Sequence, residues 1–150
     1  MASVPPPLDL VLAADWVSPS VARNEVRTWL RAHGWTPPQM DDIVLAINEA
    51  VSNSIEHGYG IGEGDPAGTG TVELRGEITD HQVTFTVRDR GVWRRPVDDP
   101  KSTRGQGIRL MRACMDHVTV DVNEDGTTVV LRGRTPLNGQ EPSSAEDRSG

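Results

Sequence analysis

Apolar residues along the chain recur with two periods. Leu8, Leu10 and Leu12 alternate with Asp9 and Val11, a two-residue period that predicts a first strand over residues 8–12. The period then lengthens. Ser18-Pro19-Ser20 offers a helix start, and Ala22, Val26, Trp29, Leu30 and His33 follow at helical spacing until Gly34. Arg23, Arg27 and Arg31 keep the same spacing on a neighbouring face. Pro37-Pro38 opens a longer helix to about His57, with Met40, Ile43, Val44, Ile47, Val51, Ser54 and Ile55 as its core stripe. Residues 58–70 are rich in Gly, carry Pro66, and are expected to be a loop too flexible to pack. Residues 71–78 and 82–89 alternate again as two strands about Thr79-Asp80-His81, with Val83, Phe85 and Val87 facing one core.

Residues 91–104 show no clean period and are long for a connection in a compact domain, which predicts a lid at about 92–104. Gly105-Gln106-Gly107 leads into a short helix packed by Ile108, Met111 and Met115. Val118, Val120 and Val122 form a strand, residues 123–126 a turn, and residues 127–131 the hairpin partner. The order is β-α-α-β-β-lid-α-β-β. It predicts an α+β fold, a two-layer sandwich whose mixed, mostly antiparallel sheet is covered on one face by helices. The domain is expected at 8–134, between a flexible arm at 1–7 and a disordered tail at 135–150, where only Leu137 and Ala145 are apolar.

Composition narrows the classes. At 150 residues one core is expected rather than two. The formal charge of −7 repels phosphate backbones, so direct nucleic-acid binding is disfavoured. The apolar runs fall far short of the ~20 residues that span a bilayer, so no membrane partner is expected. Cys114 stands alone and forms no internal disulfide. No basic residue precedes Arg23, so no secretory leader is expected and the default address is cytoplasmic. His33, His57, His81 and His117 are too scattered for a zinc site.

Four features carry candidate chemistry. Glu49 and Asn53 lie four apart on one helix face, with His57 one turn on. An Asn carbonyl suits a hard cation such as Mg²⁺, and a carboxylate one turn away can hold a water or take a hydroxyl proton. By itself the pair reads better as the solvated face of an amphipathic helix. Asp89-Arg90-Gly91 ends a strand, where a buried Asp can accept a hydrogen bond from an exocyclic amine and Gly can approach a flat ring. A plain Asx turn has the same residues. Gly105-Gln106-Gly107 sets free N–H groups at a helix N-terminus, where phosphates bind, though GxG is common and no GxGxxG or P-loop Lys follows. Thr127-Thr128 after Gly126 reads first as good strand residues.

The joint order is more specific than any part. E-A-V-S-N-S-I-E-H-G-Y from Glu49, V-R-D-R-G-V-W from Val87, G-Q-G-I-R-L-M-R-A-C-M-D from Gly105 and G-T-T-V from Gly126 follow one another along the chain. This series resembles the GHKL (Bergerat-fold) ATP-binding domains, and more narrowly is similar to the RsbW-like anti-sigma-factor serine/threonine kinases, over roughly residues 8–132. The resemblance implies ATP and Mg²⁺ as cofactors, with Asn53 as the Mg²⁺ ligand and Glu49 as the base that activates an acceptor Ser/Thr hydroxyl. It implies that Asp89 bonds the adenine amine, with Gly91 beside the base and Thr128 supporting that end. It further implies that Gly105 and Gly107 wrap the phosphates, with His57, Gln106 and Ile108 among the nucleotide-binding positions. Arg94, Arg95, Lys101 and Arg104 in the lid are candidates to neutralise phosphate, or are a solvated charge run.

Arg23, within V-A-R-N-E-V-R, is similar to the family's helix-1 segment that contacts partner proteins. The bland alternative is a wet face. The partners implied are a sigma factor, which the protein would sequester, and a STAS-domain antagonist, which it would phosphorylate. Relatives are often homodimers, but no dimer surface is legible here. A non-catalytic nucleotide-binding regulator that acts by sequestration alone is the alternative. A GHKL-like ATPase module of a larger assembly is a third reading. The length leaves no room for a phospho-acceptor helical hairpin, which counts against histidine-kinase activity.

Overall fold

The computed structural model describes residues 6–62, 64–80, 82–91 and 103–134. Most of the expected lid, with Arg94, Arg95 and Lys101, and the tail lie outside these residues, as do the Arg104 side chain and the first five residues of the arm. The elements run β1 (Leu8–Ala13), α1 (Ser18–Ala32), α2 (Pro37–Asn53), a π turn (Ser54–Gly58), β2 (Thr71–Thr79), β3 (Gln82–Asp89), α3 (Thr103–Cys114), β4 (His117–Asn123) and β5 (Gly126–Arg134).

The strands form one sheet in the order β1-β2-β3-β5-β4, and every pairing is antiparallel. The two-residue period explains which face the helices cover. Val72 and Leu74 of β2, Val83, Phe85 and Val87 of β3, and Val129 and Leu131 of β5 are all fully buried on one side. Thr84, Thr86 and Arg88 alternate with them and remain partly exposed on the other. The α+β two-layer architecture therefore follows from the alternation, and its sheet is wholly antiparallel rather than mixed.

Both long helices present apolar stripes to that face. In α1 the stripe is Ala22, Val26, Trp29 and Leu30. The Trp29 ring meets Phe85 edge-on with centroids 5.6 Å apart, and its indole N–H donates to the Pro6 carbonyl at 2.8 Å. The helix starts where the Ser18 hydroxyl donates to the Ala13 carbonyl, 2.7 Å away. Helix α2 starts at Pro37-Pro38, with the Thr36 N–H donating to Gln39 Oε1 at 2.8 Å, half of a capping box. All seven residues of its expected stripe are buried.

Two expectations change. The helix expected to reach His57 ends at Asn53 and continues as a π turn, with the Tyr59 N–H donating to the Ser54 carbonyl. Such wider turns cluster at functional sites because they re-aim side chains. The loop at 58–70 is also not too flexible to pack. Ile61 is buried, and the Gly68 N–H donates to the Ala14 carbonyl at 2.8 Å, so an apolar anchor and a backbone bond hold it against the end of β1.

Candidate functional site

The second half of α2, the π turn, the end of β3, the start of β5 and the start of α3 converge on the inner side of the sheet. Helix α2 lies between α1 and α3. Its Glu49–Asn53 face is therefore not a solvated one: Asn53 is only 3% exposed and Glu49 is half-buried.

Helix α3 approaches this face through a glycine. A β-carbon on Gly107 would stand 2.9 Å from Asn53 Nδ2, 3.0 Å from Glu49 Oε1 and 3.2 Å from Asn53 Oδ1. The side-chain tips of Glu49 and Asn53 thus meet at one point, and only a residue without a side chain lets α3 come this close to it. Gly105 and Gly107 lie inside the first turns of α3, which begins at Thr103, rather than in a segment preceding it. The small size of Gly107 sets the close approach of α3 to α2. Gly105 is buried, Gln106 is exposed, and the side chain of Ile108 packs into the hydrophobic core. The structure therefore does not bring the side chains of Gln106 and Ile108 to the Glu49–Asn53 point.

The second half of the site is built around Asp89, 1% exposed at the end of β3. Its Oδ1 accepts the Gly91 N–H at 3.0 Å. The carboxylate lies over Gly58 of the π turn, where a β-carbon would stand 2.9 Å from both Cγ and Oδ1. Gly91 lies directly on the Gly58 carbonyl, and Gly126 on the Asp89 carbonyl, each with no space for a β-carbon. Tyr59 braces this end: its hydroxyl accepts the Arg90 N–H at 2.9 Å and donates to the Thr71 carbonyl at 2.7 Å. His57, half-buried on the same π turn, has Nε2 3.8 Å from Glu56 Oε1.

The threonine expectation needs correction. Side chains alternate along β5, and Thr128 falls on the outer face of the sheet with Glu73, Arg75, Thr86 and Arg88. Thr127 is the direct cross-strand partner of Asp89, and it is 1% exposed. Its Oγ1 is buried without a hydrogen-bond partner among the described residues. A buried hydroxyl with nothing to bond is costly unless something else bonds it, so Thr127 fits a ligand at the Asp89 end. Its signal was present in the sequence: Thr127 shares the two-residue phase of Val129 and Leu131.

Arg23 lies elsewhere, half-buried on α1, with Nη1 donating to Asn48 Oδ1 of α2. Burial raises the pKa of the Cys114 thiol above the ordinary cysteine value, and the carboxylates Asp42 and Glu49 add to the rise.

A helix-backed antiparallel sheet with close glycine contacts, a buried strand-end Asp and an Asn–Glu pair on the central helix defines a class of nucleotide-binding domain. The family described as the histidine kinase-like ATPase domain matches residues 12–132, and the chain belongs to it. Membership implies that the chain binds ATP. Among the relatives, the anti-sigma F factor of Bacillus licheniformis is 32% identical over 123 residues, covering 75% of this chain and 81% of that one. The anti-sigma F factor of Geobacillus stearothermophilus is 35% identical over 125 residues, covering 75% and 82%. Among solved structures, that of the RsbU and RsbW domains of Rv1364c from Mycobacterium tuberculosis superposes with a TM-score of 0.66 at 26% identity, covering 89% of this chain. The chain spans 34% of that longer one. Among the described residues, no helix is long and apolar enough to cross a membrane.

Proposed function

We propose that the chain is an ATP-dependent protein serine/threonine kinase that acts as an anti-sigma factor. It sequesters a sigma factor and phosphorylates a STAS-domain antagonist, and the unphosphorylated antagonist frees the sigma factor. The observation that carries this reading is the meeting of Glu49 and Asn53 beneath Gly107, on the same inner face as Asp89. Kinship with proteins named anti-sigma F factor supports the choice of partners.

In this reading Asp89 accepts a hydrogen bond from the adenine amine, and the orphaned Thr127 hydroxyl supports the same end. Gly58 and Gly91 let the π turn pack closely on the end of β3, which sets the Asp89 carboxylate in place for the base. The Asn53 carbonyl oxygen would hold Mg²⁺, which would supply charge neutralisation at the phosphates. Glu49 takes the proton of the acceptor hydroxyl as that oxygen bonds the γ-phosphorus; the bond to the bridging oxygen breaks and ADP leaves with its electron pair. Gly105 and Gly107 border the phosphates, and residues 92–104 act as the lid of a domain at 8–134. The protein works in the cytoplasm without direct contact with nucleic acid, and a homodimer is compatible with this reading.

The test is a titration with ATP by calorimetry, with and without Mg²⁺, beside Asp89→Asn. Saturable Mg²⁺-dependent binding, lost in the variant, is the expected result. Transfer of label from γ-labelled ATP to a STAS-domain protein, absent in Glu49→Ala, then establishes the kinase. If wild type transfers no phosphate and Glu49→Ala still regulates its partner, the enzyme reading is wrong and sequestration alone remains.

A further inference from the structure

Asn48 uses both ends of its amide. Its Oδ1 accepts from the Arg23 guanidinium of α1, and its Nδ2 donates to Glu49 Oε2 at 3.4 Å. The other oxygen of Glu49, Oε1, is the one beneath Gly107. All three side chains are half-buried, so these bonds are neither freely solvated nor locked in the core. A single side chain thus joins the arginine of α1 to the carboxylate of α2. The link to Glu49 is at the long limit of a hydrogen bond.

An Arg guanidinium pairs best with a carboxylate, which offers two oxygens to its fork, so the neutral amide of Asn48 is a weaker resident partner than an acidic side chain of another protein. A docking protein that supplies such a carboxylate displaces Asn48 from Arg23. The freed amide is then able to turn and close on Glu49. We propose that Asn48 couples docking at α1 to the alignment of Glu49: it competes internally for Arg23, and once released it is a positioning residue for the carboxylate. This role rests on the reading of Glu49 as the base and of Arg23 as a partner contact.

Three substitutions separate the two bonds. Asn48→Ala removes both, so Arg23 no longer has a competitor to leave and Glu49 loses its positioning bond. The KM for a STAS-domain acceptor is expected to fall about threefold while kcat falls about tenfold, each the scale of one hydrogen bond. Asn48→Asp keeps an acceptor for Arg23, now as an ion pair, but cannot donate to Glu49. There KM is expected to rise while kcat falls. In an Arg23→Ala background, neither substitution is expected to change KM. A merely structural role would move KM in the same direction for both.

The coupling is also readable without any acceptor. In ¹⁵N spectra of the ADP-bound wild-type protein, the Asn48 side-chain amide signal is expected to shift in Arg23→Ala and again in Glu49→Gln. An Asn48 signal that responds to neither substitution overturns the coupling, as does a KM that moves the same way in Asn48→Ala and Asn48→Asp. A wild type that phosphorylates no acceptor while the Asn48 signal still responds overturns the kinase reading and, with it, the positioning role of Asn48; only the link from Arg23 through Asn48 to Glu49 then remains.

Discussion

Gly107 of α3 lies against the side chain of Asn53 in α2 with no room for a methyl group between them, since a β-carbon there would stand 2.9 Å from Asn53 Nδ2. This relationship ties α3 to the helix that carries the Asn–Glu pair. Gly inside a helix is normally a weakness, and Ala in its place adds about 1 kcal/mol of helix stability. Gly107→Ala is therefore expected to lower ATP affinity at least about tenfold, because the methyl pushes the tips of Asn53 and Glu49 aside, while the melting temperature changes by only a few degrees because the helix gain is set against the cost of moving the buried Asn53. Calorimetry beside a thermal melt checks both halves. Unchanged affinity would place the nucleotide phosphates away from this contact.

Thr127 and Thr128 test the face assignment of β5. Thr127→Val replaces a buried, unpartnered hydroxyl with a methyl of similar shape. The unliganded protein is expected to gain about 1 kcal/mol or more, the scale of an unsatisfied buried group, while nucleotide affinity falls. Thr128→Val, on the outer face, is expected to change stability by no more than about 0.5 kcal/mol and to leave affinity as it was. Denaturant titration and calorimetry on the two variants decide between them. Loss of affinity in Thr128→Val alone would restore that residue to the site.

His33 caps the C-terminal end of α1, with its ring edge-on to Trp29 at 4.8 Å and its Nε2 buried without a partner among the described residues. Burial lowers its pKa below the ordinary histidine value. The folded state therefore prefers the neutral ring, and the unfolded chain binds more protons between the two pKa values. The resulting stability is fully present above the ordinary histidine pKa of about 6.5 and is lost as pH falls below it toward the folded value. Melting temperatures at pH 7.5 and 5.5 are expected to differ more in wild type than in His33→Leu. An equal difference would show that other groups carry the acid sensitivity.

Much of this molecule is legible in its residue order. The two-residue period of Val83, Phe85 and Val87, and the helical spacing of Ile43, Ile47 and Val51, predict the strands, the helices and the faces they bury, because both periods are local consequences of backbone geometry. The motif series from Glu49 to Thr128 points to the same family that matches residues 12–132. Asp89 and Gly91 are close enough in sequence for their hydrogen bond to be anticipated.

Tertiary structure decided what depends on packing between distant segments. Asn53 and Glu49 look like a wet helix face until α3 covers them, and no local period records that α3 approaches through Gly107. Ile108, in the midst of a nucleotide-binding motif, is drawn into the core. Gly58, which reads as a helix stop, holds the Asp89 carboxylate because the π turn delivers it there. The bond from Arg23 to Asn48 joins residues 25 apart and exists only because α1 and α2 pack side by side. Backbone periodicity is written residue by residue, whereas a cleft is made by which faces meet, and that is settled only when the elements are packed.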